Sequence, residues 1–278
     1  MPEGDTIFRA ARTLHQLLAG AVVTRFESTF PALNRVNEDR RIAGRSIESV
    51  ASRGKHLLIT FSGNLILRTH MRMNGTWHVY PRGERWRMPR RSMRVLLETA
   101  DVAAVAFNVP VAEFVTTREL ARHRPLASLG PDLLDPQFNR AEAFRRMRAR
   151  GAAQVGDVLL DQRVLAGIGN VFKCEILFLA RVNPFNTVDA LSDSVLDELL
   201  NVAREQLRAN VLTPSQTLSV AFGRRTTRNL DPREKMWVYG RGGGPCRKCG
   251  TVIASRAAGP DARLTFWCPK CQPDVSLG

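Results

Sequence analysis

Four cysteines in the last forty residues constrain this chain more than anything else in it. Cys246 and Cys249 form one Cys-x2-Cys pair, Cys268 and Cys271 form another, and 18 residues lie between the pairs. Two such knuckles offer four thiolates at the spacing of a tetrahedral zinc site. A segment of about 40 residues buries too little apolar surface to fold alone, so metal binding must supply the folding energy. Four thiolates leave no coordination position open, so a single structural Zn2+ is expected. The fifth cysteine, Cys174, lies on an apolar helix face and reads as a small buried hydrophobe.

The rest of the chain must provide its own cores, and it is long enough to do so: 278 residues, 44% of them hydrophobic, point to two domains before the cysteine module. Forty-one Lys and Arg against 26 Asp and Glu give a formal charge of +15. Such an excess attracts a polyanion, foremost nucleic acid. No run of roughly 18 apolar residues exists to span a membrane. No signal peptide pattern opens the sequence, so a cytoplasmic, reducing location is expected, with thiols free or metal-bound.

Up to about residue 124 the pattern is sheet-like. "SIESVASRGKHLLITFSGNLILRTHMRMNGTWHVY" alternates apolar and polar residues between RG, SGN and NG turns, and "RVLLETADVAAVAFN" adds further strands. Residues 5–19 place Ile7, Phe8, Ala11, Leu14, Leu17 and Leu18 on one helical face. Prolines and a glycine in "RHRPLASLGPDLLDPQF" mark residues 125–137 as a linker. From 138 to 212 the periodicity is helical, and 213–236 is polar, turn-rich and expected to be a mobile loop. The divisions are therefore 1–124, 125–137, 138–236 and 237–278, in an α+β chain.

Within the helical part, "LLDQRVLAGIGNVFKCEILF" predicts a helix ending at Gly167, a tight turn, and a second helix that Asn170 caps. Free N–H groups at a new helix N-terminus suit a DNA phosphate, but a plain helical hairpin would look the same. Arg263, in the turn between the cysteine pairs, fits a phosphate contact or a solvated turn equally well. The opening "MPEGD" sets Pro2 and Glu3 at the very start. It is either an accidental start or an amine and a carboxylate placed for chemistry.

Together these segments resemble one family. "PEG", "RGKHLL", "HMRMNG", "LGPDLL", "DQRVLAGIGN" and "VYGRGGGPCRKCG…RLTFWCPKCQ" follow the order found in formamidopyrimidine-DNA glycosylases and endonuclease VIII enzymes, over nearly the whole chain. The resemblance implies an N-terminal helix plus β-sandwich, a helix–two-turn–helix domain and a zinc-ribbon hairpin. It implies a monomeric bifunctional repair enzyme that excises an oxidised base from damaged DNA and cuts the strand at the abasic site. Removal of Met1 exposes the amine of Pro2, which attacks C1′ of the damaged nucleotide. Glu3 donates a proton to the sugar ring oxygen. By the same resemblance Lys55 serves β-elimination and touches a phosphate, Arg263 serves δ-elimination and touches another, and His70 and Asn170 lie along the DNA backbone. Arg72, Met73 and Asn74 match the loop that fills the hole left by the extruded base, with Met73 as the apolar wedge. The bland alternative, Met73 in the sandwich core, fits a Met-Asn-Gly turn tip poorly.

Two departures separate this chain from the common pattern. Thr6 stands where many relatives have a glutamate, with Asp5 beside it. The stretch from Glu98 to Leu120 lacks the Arg-Arg-Phe-Gly loop with which the formamidopyrimidine branch reads the opposite base, which points to the endonuclease VIII branch and to oxidised pyrimidines. The other readings are a glycosylase for 8-oxoguanine and formamidopyrimidines, and a zinc-containing DNA-binding protein without catalysis.

Overall fold

The structure is a computed structural model that describes residues 2–212, 224–227, 229 and 231–274. The chain forms two compact units, Met1–Ser128 and Leu129–Gly278.

The first unit opens with helix α1 (Gly4–Leu18), which buries Ile7, Ala11, Leu14 and Leu18 as the apolar spacing requires. Strand β1 (Arg25–Ser28) and helix α2 (Pro31–Arg40) follow. Seven further strands complete the unit: β2 (Ile47–Arg53), β3 (His56–Phe61), β4 (Leu65–His70), β5 (Thr76–Pro81), β6 (Met93–Glu98), β7 (Val102–Phe107) and β8 (Val111–Val115). They form two four-stranded antiparallel sheets, β2-β3-β4-β8 and β1-β6-β7-β5. Alternation sends Leu57, Ile59, Phe61, Leu65 and Leu67 from one sheet, and Val95, Leu97, Ala104 and Ala106 from the other, into one shared core.

Two short helices, α3 (Thr117–Arg122) and α4 (Arg124–Ala127), close this unit. The second was expected to be irregular because of Pro125. It forms because Pro125 falls in the first helical turn, where no N–H is needed.

The second unit contains α5 (Arg140–Arg148), α6 (Val155–Leu160), α7 (Asn170–Leu179) and α8 (Asp193–Leu212) around a core that includes Leu159, Phe172, Leu177, Leu196 and Leu207. A hairpin of β9 (Ala254–Ala258) and β10 (Arg263–Trp267) follows, with Ala258 opposite Arg263. Most of the loop expected at 213–236 lies outside the described residues. Of its described end, Pro232–Glu234 forms one 3-10 turn. Among the described residues no helix is long and apolar enough to cross a membrane.

Candidate active site and nucleic-acid interface

The antiparallel packing of α1 on β2 decides what meets at one end of the first unit. At the C-terminal end of α1, Gly20 N–H donates to the Ile47 carbonyl at 2.8 Å. Midway, Val50 N–H donates to His15 Nδ1 at 3.1 Å. From these anchors both elements run the same way in space: back along α1 to Glu3, about 18 Å at 1.5 Å per residue, and forward along β2 to Lys55, about 17 Å at 3.3 Å per residue. Pro2, Glu3 and Lys55 therefore occupy the same end of the sandwich. Pro2 is partly exposed, whereas Glu3 and Asp5 are fully buried. Glu3 is the N-cap residue of α1 by backbone only: its carbonyl accepts Thr6 and Ile7 N–H, and its carboxylate makes no capping bond. Asp5 is engaged by the Arg9 guanidinium at 3.4 Å and the Thr6 hydroxyl at 3.3 Å.

Lys55 sits with Gly54 in the two-residue turn from β2 to β3, where Gly54 has φ +58°. His56 pairs across the sheet with His70, the last residue of β4, so His70 lies beside the lysine turn. The chain then reverses through Met71–Gly75. Gly75 N–H donates to the Met71 carbonyl at 2.9 Å, and a Cβ at Gly75 would come within 2.6 Å of that oxygen, so glycine is required there. Met71 faces the core, while Arg72, Met73 and Asn74 point outward and Met73 is 59% exposed.

Behind this edge lies a chain of polar groups on the outer face of β3, β4 and β8. Arg68 donates to Glu113 at 2.5 Å and to His56 Nδ1 at 2.7 Å, and His123 Nε2 lies 2.7 Å from the same Glu113 oxygen. The His56 and His70 rings meet edge to face at 4.8 Å. Burial, then the neighbouring His70 and Arg68, lower the His56 pKa to about 3. Burial, then Lys55 and Arg68, lower that of His70 to about 4. Both rings are neutral at pH 7, and the acceptor role of each Nδ1 places the remaining proton on Nε2.

In the second unit the helical turn differs from its expected form. Helix α6 stops at Leu160, not Gly167, and 161–168 is a double turn pinned by Gln162. The Gln162 amide donates to the Leu160 and Ile168 carbonyls, both at 2.9 Å, and accepts Gly167 N–H at 3.0 Å. Asn170 is the first residue of α7 and not its cap, which is Gly169. Its amide donates to the Leu264 carbonyl of the cysteine hairpin at 2.9 Å, and its Oδ1 has no hydrogen-bond partner among the described residues. Arg263 begins β10, pairs with Asp261 at 3.1 Å, and lines a cleft of about 390 Å³ with Arg150, Arg163, Asp157 and Asp161.

The four cysteines converge, with their sulfurs within 4.8 Å of one another. Cys249 lies 3.5 Å from both Cys268 and Cys271, and Cys246 lies 3.9 Å from Cys271. A tetrahedron with metal–sulfur bonds of about 2.3 Å has edges of about 3.8 Å, so the cluster fits one metal ion. Cys174 is buried beside it and accepts Phe266 N–H at 3.5 Å. The entry to this module hangs on a residue that no motif flagged. The buried Glu175 carboxylate accepts N–H bonds from Trp237 (2.8 Å), Val238 (2.9 Å) and Tyr239 (2.8 Å), and a bond from the Thr226 hydroxyl.

A helix with a two-sheet sandwich, a helix–two-turn–helix and a four-cysteine hairpin, in that order, are the parts of a DNA repair glycosylase fold. Residues 1–113 match the formamidopyrimidine-DNA glycosylase N-terminal domain, and residues 129–221 match its H2TH domain. The chain belongs to the formamidopyrimidine-DNA glycosylase family. It is 41% identical over 277 residues to a probable endonuclease 8 2 of Streptomyces coelicolor, covering 98% of this chain and 94% of that one. It is 35% identical to the DNA-(apurinic or apyrimidinic site) lyase Nei2 of Mycolicibacterium smegmatis, covering 98% and 99%. Its fold matches that of Lactococcus lactis Fpg in complex with abasic-site DNA, with a TM-score of 0.81 at 21% identity, over 98% of this chain and all of that one.

Proposed function

We propose that this protein is a bifunctional DNA glycosylase and abasic-site lyase of the endonuclease VIII type, acting as a monomer on oxidised pyrimidines in DNA. The observation that carries the reading is the placement of Pro2, Glu3, Lys55, His70 and the exposed Met73 turn at one end of the N-terminal sandwich. Once Met1 is removed, Pro2 carries a secondary amine, which is less basic than lysine by roughly two units and so more often unprotonated. The amine attacks C1′ and the base departs as Glu3 protonates the ring oxygen. The resulting iminium has no N–H to lose, so its charge persists and acidifies the C2′ hydrogen. Lys55 serves the β-elimination that follows, and Arg263 the δ-elimination.

Met73 fills the space of the extruded base, flanked by Arg72 and Asn74. His70, neutral and carrying its proton on Nε2, can donate to a backbone phosphate without adding charge. Asn170 has a second amide N–H for the same use while its first holds Leu264. Cys246, Cys249, Cys268 and Cys271 would hold one Zn2+, which orders the hairpin that carries Arg263 and supplies no chemistry to the reaction.

Borohydride trapping tests this directly. Protein beginning at Pro2 is expected to become covalently linked to abasic-site DNA, and protein with an extra residue before Pro2 is expected to bind without linkage. Full trapping of the blocked protein would place the nucleophile elsewhere. No trapping by either form would favour a non-catalytic DNA-binding protein.

A further inference from the structure

The most basic exposed segment of the first unit plays no part in the site described above. "RGERWRMPRRS" (residues 82–92) joins β5 to β6 and carries Arg82, Arg85, Arg87, Arg90 and Arg91 against one acid, Glu84. All five arginines are exposed. Arg90 pairs with Glu27 at 3.1 Å, while Arg82, Arg85, Arg87 and Arg91 make no ion pair among the described residues.

This segment is held in place along its length. Trp86 and Met88 pack on the outer face of the β1-β6-β7-β5 sheet, over Tyr80, Met93, Leu96, Val105 and Phe107. The Trp86 ring meets Phe107 at 5.7 Å, the Arg90 guanidinium stacks over Trp86 at 5.5 Å, and Arg87 N–H donates to the Tyr80 hydroxyl at 3.3 Å. An arginine cluster on an anchored segment loses less entropy on binding an anion than one on a free loop. A surface meant only to stay soluble would not concentrate one sign of charge here.

The path of the segment says what it faces. It leaves β5 at Pro81, six residues or about 20 Å from the Met71–Gly75 turn. It then returns across the sheet, and the Ser92 carbonyl accepts Asn108 N–H at 2.8 Å. Asn108 follows Phe107, which pairs with Thr76, the first residue after that turn. The returning end is therefore about two strand spacings, roughly 10 Å, from the turn that carries Met73. The basic strip starts beside the lesion-binding edge and extends about 20 Å from it, the length of about six base pairs.

We infer that this arginine strip is a second DNA-backbone surface, which grips duplex flanking the lesion. The inference rests on the reading of the protein as a DNA glycosylase. Its chemistry is arginine to phosphate, independent of base sequence.

The test compares a short duplex of about 6 base pairs, closed by a covalent linker and ending about 10 Å from the lesion, with one of about 30 base pairs; a stable abasic analogue serves for affinity across a series of KCl concentrations, and a natural abasic site for borohydride trapping. The quadruple variant Arg82→Ser, Arg85→Ser, Arg87→Ser, Arg91→Ser is expected to match the parent on the short duplex, in affinity and in borohydride trapping. On the long duplex it should lose at least about tenfold in affinity at low salt, and its salt slope should fall by up to about 3 to 4 units. The corresponding four Arg→Lys changes should keep most of the slope, which separates lost charge from lost folding. An unchanged slope on the long duplex would overturn the inference. So would an equal loss on both duplexes, which would assign the arginines to the lesion site itself. Failure of the parent to trap on the short duplex would instead count against the glycosylase reading.

Discussion

The Nδ1 atom of His70 accepts the backbone N–H of Arg72 at 3.1 Å. This bond holds Arg72 in a left-handed conformation, φ +46°, and so sets the path of the turn that exposes Met73. It requires an unprotonated Nδ1, and the environment provides one: the His70 pKa is lowered to about 4 and that of His56 to about 3.

A pH dependence of stability follows. Both histidines have folded pKa values below the ordinary 6.5, so the unfolded chain binds these protons first as pH falls. Stability from this source is complete above about pH 6.5 and declines through about 4 for His70 and about 3 for His56. Within that window each histidine contributes a slope of up to about 1.4 kcal/mol per pH unit. Thermal melting between pH 7 and pH 4.5 should show Tm of the parent falling more steeply than that of His70→Gln. Parallel curves would remove the histidine from the account.

Glu3 should divide the two activities. Its proton is needed to open an intact nucleoside, whereas an abasic sugar opens without it. Glu3→Gln is expected to lose base excision by at least about a hundredfold, in keeping with the usual contribution of a general acid. Cleavage of a preformed abasic site should fall far less. Single-turnover rates on the two substrates make the comparison, and equal losses would refute the assignment.

Glu175 should govern retention of the metal. Its carboxylate gathers three consecutive backbone N–H groups at the entry to the cysteine module. Glu175→Ala would leave those donors buried and unpaired, at a cost of about 3 kcal/mol or more. Zinc should then pass to a competing chelator faster, and DNA affinity should fall with it, while the N-terminal unit melts unchanged. Unaltered zinc release would show that the cysteines hold the module without help.

What could be read in advance was what chemistry writes locally. Cysteine pairs, the Pro-Glu start, the Gly-Lys turn and the Met-Asn-Gly tip each declare themselves within a few residues. Helix α2 did not, because Leu33 is its only buried residue and no apolar stripe marks it. The end of α6 was misplaced because Val164, Leu165 and Ala166 are buried as a helix would bury them, yet they lie in turns held by Gln162. Asn170 was assigned a capping role that the backbone gives to Gly169. Arg68 and Glu113 are 45 residues apart, and Glu175 and Trp237 are 62 apart. Such pairs leave no local signature, since only the closed fold brings them together.

Substrate choice gives the last prediction. A glycosylase can select by its pocket, by the base opposite the lesion, or by the ease with which a base leaves the stack. The stretch from Glu98 to Leu120, to which the family resemblance assigns the opposite-base loop of the formamidopyrimidine branch, here makes only a tight turn from β7 to β8. Asn108 takes φ +51°, Val109 is fully buried and Pro110 leads straight into Val111. That turn projects no arginine or aromatic side chain toward a partner strand. The Met73 turn can still fill a vacated stack, but an unpaired strand has no such vacancy. Excision should therefore depend weakly on the opposite base, within about threefold across all four, since a lost base contact is what would cost the usual 1–3 kcal/mol. Thymine glycol and 5-hydroxyuracil should be cleaved in bubble and single-stranded DNA as well as in duplex. The measurement is single-turnover excision on four matched duplexes and on the same strand alone. A strong requirement for opposite cytosine, with 8-oxoguanine as the best substrate, would move this protein to the formamidopyrimidine branch.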